Sequence, residues 1–198
     1  MRRLLLLATS NANKVREMRA LLHGEPVELV ALSSLPPLAE PEETGDTFEA
    51  NARLKALYYA AAQPGLVVVS EDSGLEIDAL GGAPGVRSAR YLGAGATYEA
   101  RFADILRRLA DVPDAGRTAR FVCALAVADG SRVCFEARGV VEGRIARTPA
   151  GNGGFGYDPI FFYPPLGRTL AEAGDVKDSV SHRGQAFAAL ARWARDLR

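Results

Sequence analysis

Apolar residues recur along this chain with two periods, and the switching between them outlines the fold. Leu4 to Ala8 is a short apolar run that reads as a buried strand. Val15, Met18 and Leu22 then repeat at helical spacing, just after the polar stretch Thr9-Ser10-Asn11-Ala12-Asn13-Lys14. Ser33 to Gly45, rich in proline and glutamate, reads as a loop. Asp46-Thr47-Phe48-Glu49 has the form of a capping box and opens a helix to about Ala62, which Pro64-Gly65 stops. Leu66 to Ser70 is apolar and β-branched, as a central strand is. Past the glycine-rich stretch 81–85, Tyr98, Phe102, Ile105, Leu106 and Leu109 mark an amphipathic helix. Phe121, Cys123, Leu125 and Val127 alternate as a strand does, Asp129-Gly130 signals a hairpin, and Val133, Phe135 and Ala137 continue beyond it. Residues 151–158 form a second glycine-rich loop. A last helix starts near Ser181, with Phe187, Leu190, Ala191, Ala194 and Leu197 on one face. Strands alternate with helices around one embedded hairpin, which predicts an α/β fold with a mixed sheet.

Composition narrows the function. The 198 residues suit one domain, or two lobes sharing a core. With 24 basic and 24 acidic residues the formal net charge is zero, which argues against a nucleic-acid binder; any basic site is local. The opening Met1-Arg2-Arg3 and its leucines are too short for a secretory signal, and no later run could span a bilayer. Cys123 and Cys134 form no CxxC and have no histidine nearby, so they read as reduced core thiols of a cytoplasmic protein.

Five stretches could carry chemistry. Thr9 to Lys14, at a strand-to-helix turn, offers amide donors, a helix dipole and a lysine charge to phosphate, although Ser, Thr and Asn are also ordinary caps. Glu42, Glu43, Glu71 and Asp72 offer the carboxylates a hard cation such as Mg²⁺ prefers, although Glu42 and Glu43 could equally be a solvated acidic loop. Strand alternation turns Glu71 and Asp72 to opposite faces, with Asp72 toward the ligand; Asp72-Ser73-Gly74 could equally be a simple turn. Thr47, Asn51 and Lys55 share one helix face, either lining a phosphate site or facing solvent, and Glu49 is assigned to capping. Gly151-Asn152-Gly153-Gly154-Phe155-Gly156-Tyr157-Asp158 either allows close backbone approach and brings two aromatics that could stack on a base, or serves tight-turn packing. Lys177 and Ser181-His182-Arg183 offer donors for a base carbonyl, or a helix cap with solvated charges.

Taken in order, these motifs resemble the inosine triphosphate pyrophosphatase family. The likeness is carried by Thr9, Asn11 and Lys14; Glu43-Thr44-Gly45 with Thr47-Phe48; Asp72-Ser73-Gly74-Leu75; Gly82 to Tyr91; Gly154 to Pro159; and Ser181-His182-Arg183. It runs from about Leu4 to the final helix. The resemblance implies a single domain spanning residues 1–198, an elongated mixed central sheet with flanking helices, and two lobes around a central active-site cleft. It also implies a homodimer and Mg²⁺-dependent hydrolysis of ITP, dITP and XTP to the monophosphate and pyrophosphate. By that likeness Asp72 is the proton acceptor and a metal ligand, and Glu43 is a second metal ligand. Thr9, Ser10, Asn11, Ala12, Asn13 and Lys14 hold the phosphates, Asn51 and Lys55 line the site, and Ser73 touches substrate. Phe155, Gly156, Tyr157, Asp158, Lys177, His182 and Arg183 surround the base.

Two positions depart from the family pattern. Glu71 stands where an aspartate is usual, a mild change if its side chain points away from the ligand. Ala50 stands where a glutamate is usual, so that either Glu49 or Glu43 covers for it or activity is lower. The competing readings are a pyrophosphatase for modified pyrimidine nucleotides, a nucleotide-binding protein without catalysis, and a single-strand RNA binder stacking bases on Phe155 and Tyr157.

Overall fold

A computed structural model of the chain describes residues 3–196. Seven strands form one sheet in the order β2-β1-β3-β4-β5-β6-β7. β1 (Arg3–Leu7) pairs in parallel with β2 (Val27–Ala31) on one side and with β3 (Val67–Ile77) on the other. Parallel neighbours need crossover connections, and two helices supply them: α1 (Ala12–Leu21) and α2 (Phe48–Ala62). β4 (Thr118–Asp129) and β5 (Arg132–Ile145) follow as a hairpin turning at Gly130. β6 (Phe161–Tyr163) is antiparallel to β5, and β7 (Arg168–Thr169) is antiparallel to β6. The mixed sheet expected from the embedded hairpin is the one observed.

Two compact units divide the described chain. The first takes residues up to Asp72, Cys123–Gly139 and those from His182 onward; the second takes Ser73–Val122 and Val140–Ser181. In the first, α1 and α5 (His182–Asp196) cover a core built on Leu5, Leu7, Met18, Val69, Leu125, Phe187 and Leu190. The helix face expected of α5 is buried at Phe187, Leu190, Ala191 and Ala194, while Leu197 lies outside the described residues. In the second, α3 (Tyr98–Arg108) packs Phe102 and Ile105 with Leu75, Ile77, Phe121, Val141 and Phe161, and the short α4 spans Lys177–Val180.

Several expectations need correction. β2 was not legible, since Val27-Glu28-Leu29-Val30-Ala31 is too short to alternate clearly; β6 and β7 are shorter still. Leu4 is 41% exposed, whereas Leu5 to Ala8 are buried. β3 does not end at Ser70 but runs on to Ile77, so Asp72-Ser73-Gly74 is strand and not turn. Thr47, not Asp46, caps α2, accepting from the Ala50 amide, and Glu49 pairs with Arg138 instead of capping. Cys123 is buried as expected of a core thiol, whereas Cys134 is exposed. No helix among the described residues is long and apolar enough to cross a membrane.

Candidate functional site

The polar turn after β1 is organised by Asn11. Its Oδ1 accepts the Asn13 and Lys14 amides at 3.0 and 3.2 Å, capping α1, and the Asn11 amide donates to Thr9 Oγ1 at 3.2 Å. Two amides that the sequence offered to phosphate are thus engaged by the cap, which orients the turn. Ser10 is exposed and donates to Glu40. A cavity of about 730 Å³ opens beside this turn, lined in part by Thr9, Ser10, Ala12, Leu38 and Tyr59. Lys14, half-buried, points its Nζ to within 2.6 Å of Glu71 Oε1.

Of the stripe on α2, Asn51 and Lys55 face protein, whereas Thr47 is exposed. Asn51, fully buried, donates from Nδ2 to Asp72 Oδ2 at 3.1 Å and accepts the Gly45 amide at Oδ1, 2.8 Å. That loop can touch the helix only because residue 45 is glycine: a Cβ would stand 2.7 Å from Asn51 Oδ1 and 2.8 Å from the Ala50 methyl. Lys55 Nζ lies 2.6 Å from Glu43 Oε1 and 3.7 Å from Asp72 Oδ1. Burial lifts the Asp72 carboxyl above its ordinary value and nearby Glu43 adds to the rise, against the pull of Lys55. Burial opposes the charge on Lys55, but Asp72 and Glu43 outweigh it and raise that pKa. Two hard carboxylates therefore already share one cation, a donor set that fits a divalent metal completed by water and phosphate oxygens. Of the neighbours of Ala50 that could replace a missing carboxylate, Glu43 stands in this cluster; Glu49 is turned to Arg138, and Glu42 is exposed.

Alternation does turn Glu71 to the face opposite Asp72, but that face is not idle. Glu71 is 1% exposed and sits 2.6 Å from Lys14 Nζ, 3.5 Å from Arg183 Nη2 and 3.3 Å from Cys123 Sγ. Burial alone would lift its carboxyl; Arg183 and Lys14 overcome that and hold it well below the ordinary range. Arg183 is itself 2% exposed and donates from Nη1 to Glu17. Glu17 escaped the sequence reading, although an acidic residue beside Met18 on the buried face of α1 is the signal that could have revealed it. His182, the first residue of α5, is buried in the same unit.

The second unit assembles a further group. The Phe155 amide donates to Asp158 Oδ2 at 2.8 Å, Lys177 Nζ lies 2.8 Å from the same oxygen, and that ammonium stands 5.1 Å from the Phe155 ring centroid. Gly154 has φ +68°, and a Cβ there would collide with Asp158, so the loop requires glycine. Tyr157 corrects an expectation. Its ring is 3% exposed, packed on Tyr98 and Phe102, and its hydroxyl donates to the Ser88 carbonyl at 2.9 Å. It is a core residue, and of the two aromatics of this loop only Phe155 keeps partial exposure. Ser181, expected to cap α5, donates its hydroxyl to the Asp178 carbonyl at 3.4 Å. Ser73 and Gly156 are half-buried in this unit.

The fold is that of a mixed α/β protein, whose first unit carries the Asn11-capped turn and the paired carboxylates of Glu43 and Asp72. The chain belongs to the Ham1 family, whose model matches residues 5–193. It is 48% identical over 187 residues to the dITP/XTP pyrophosphatase of Exiguobacterium sibiricum, covering 94% of each chain. It is 50% identical to the dITP/XTP pyrophosphatase of Symbiobacterium thermophilum, covering 93% of this chain and 91% of that one. Among solved structures, a HAM1 protein from Coxiella burnetii aligns with a TM-score of 0.87 at 40% identity, covering 98% of this chain and 99% of that one.

Proposed function

We propose that this protein is a nucleoside-triphosphate pyrophosphohydrolase acting on non-canonical purine nucleotides, releasing monophosphate and pyrophosphate from ITP, dITP and XTP. Likeness to curated dITP/XTP pyrophosphatases along almost the whole chain supports the reaction. The observation that carries the assignment of residues is the cluster in which Asn51 and Lys55 hold Asp72 beside Glu43.

Asp72 is the group to accept a proton from the attacking water. Its carboxyl is held by a neutral amide donor and a lysine, and its raised pKa brings its basicity nearer to the working pH. Lys14 supplies a fixed positive charge at the start of α1, where the Thr9 to Asn13 turn would receive phosphate oxygens. Mg²⁺ bound by Glu43 and Asp72 would neutralise phosphate charge. Phe155, Gly156, Asp158 and Lys177 are assigned to the base, with the Lys177 ammonium donating to a 6-keto oxygen. A 6-amino group would meet that donor with another donor, a costly mismatch. His182 and Arg183 complete the proposed base-recognition set, Ser73 is a substrate contact, and the enzyme acts as a homodimer in the cytoplasm.

Incubating the purified protein with a panel of triphosphates and Mg²⁺, then separating the products, tests this reading. ITP should yield IMP and pyrophosphate, and EDTA should stop the reaction. IDP and orthophosphate as first products would refute it.

A further inference from the structure

Nothing in the proposed reaction uses Glu71, yet it is the most enclosed carboxylate near the site and touches two cations and a thiol. Lys14 comes from the first turn of α1, Arg183 from the first turn of α5, and Glu71 from the middle of β3. Its two oxygens divide the work: Oε1 faces both Lys14 Nζ and Arg183 Nη2, while Oε2 takes the contact from Cys123 Sγ. Arg183 is anchored in turn on Glu17, three residues after Lys14 on the same helix. Lys14, Glu71, Arg183 and Glu17 therefore form a closed circuit in which α1 contributes both ends.

From this geometry we infer that Glu71 is a positioning residue for Lys14. A lysine at a helix start is ordinarily a mobile, hydrated charge on a flexible stem. Here a buried carboxylate with 0% side-chain exposure fixes the ammonium from one side, leaving Lys14 with 17% side-chain exposure to meet a ligand. A charge held in place before the ligand arrives is not reorganised during reaction, and that is the condition under which electrostatic stabilisation is effective. The inference rests on Lys14 being a phosphate ligand, as proposed above. Glu71 touches no substrate; it acts through Lys14, and Arg183 with Glu17 keeps Glu71 itself in register.

Kinetics on the full-length protein test this, with wild-type hydrolysis of ITP as the control for the reaction itself. Without turnover in the wild type, the functional reading fails and not this inference. Glu71→Gln keeps the shape and removes the charge. It should raise KM for ITP and weaken product inhibition by pyrophosphate by about tenfold or more, the worth of one charge-assisted hydrogen bond. Glu71→Asp keeps the charge but shortens the reach, so its loss should lie between wild type and Glu71→Gln. A double-mutant cycle separates positioning from general support of the fold. On a Lys14→Met background, Glu71→Gln should cost no further pyrophosphate affinity. Equal losses with and without Lys14 would overturn the inference. If Glu71→Gln does not fold, Glu71→Asp decides: a folded Glu71→Asp protein with wild-type KM and wild-type pyrophosphate inhibition would also overturn it.

Discussion

Asn51 holds Asp72: its amide nitrogen reaches Asp72 Oδ2 at 3.1 Å, and both side chains are withdrawn from solvent. A neutral donor and a lysine 3.7 Å away do not fully repay the burial of this carboxylate, which is why its pKa rises. The charged form is therefore a cost the fold carries at neutral pH.

Asp72→Asn should separate activity from stability. Loss of the proton acceptor should lower kcat by about 10²–10⁴-fold, read as pyrophosphate release. With its folded-state pKa raised, Asp72 favours folding most when protonated, below its unfolded value. That contribution is lost as pH rises through the folded-state value. The neutral variant should thus melt at or above the wild-type temperature at pH 7, and the difference should shrink as pH falls toward the ordinary aspartate range. A variant retaining most of its turnover would remove Asp72 from the catalytic role.

Glu71 has the opposite sign. Its folded-state pKa lies below the ordinary 4.5, so its contribution to stability is present above that value and lost as pH falls through the lower, folded-state one. Glu71→Gln should melt well below wild type at pH 7, and acidification below about pH 4.5 should narrow the gap. Melting curves by circular dichroism across this range check it. A gap that widens on acidification would contradict the assigned pairing. The large effect is expected because Glu71 is buried against two cations.

Arg183→Ala leaves Glu71 and Glu17 buried without their guanidinium. Breaking a buried pair from one side costs roughly 3–5 kcal/mol, a fall in Tm of roughly 6–20 °C for a chain of this size. Kinetics below the new Tm then address base reading. A larger loss in kcat/KM for ITP than for ATP would support Arg183 in recognition; equal losses would confine it to holding Glu71.

Lys177→Met keeps an apolar stem against Phe155 and removes the ammonium that lies 2.8 Å from Asp158. It should lower kcat/KM for ITP by about tenfold or more, the worth of one charged hydrogen bond, with a much smaller effect on ATP. Competition assays with both nucleotides measure the ratio. An unchanged ITP-to-ATP preference would move base reading away from this segment.

The linear pattern of residues determined the long elements, because each advertises its own period. α2 stops at Ala62 before Pro64-Gly65, α5 buries Phe187 and Leu190 on one face, and the Asp129-Gly130 hairpin turns where it must. It also brought out the residues proposed for the site, because phosphate, hard cations and close ligand approach each demand particular side chains: Lys14, Glu43, Asp72 and the glycines around Phe155. Partnership was not legible, since it depends on distance between residues far apart in sequence. Thr47, Asn51 and Lys55 formed a polar stripe that could have faced water; only the packing of α2 against β3 turned Asn51 and Lys55 onto Asp72, while Thr47 stays exposed. Tyr157 and Phe155 are equivalent aromatics in the sequence, and only the core around Tyr98 and Phe102 drew one of them inside. Glu71 and Arg183, separated by more than a hundred positions, became one buried ion pair through tertiary packing, because neither charge can be withdrawn from water without the other.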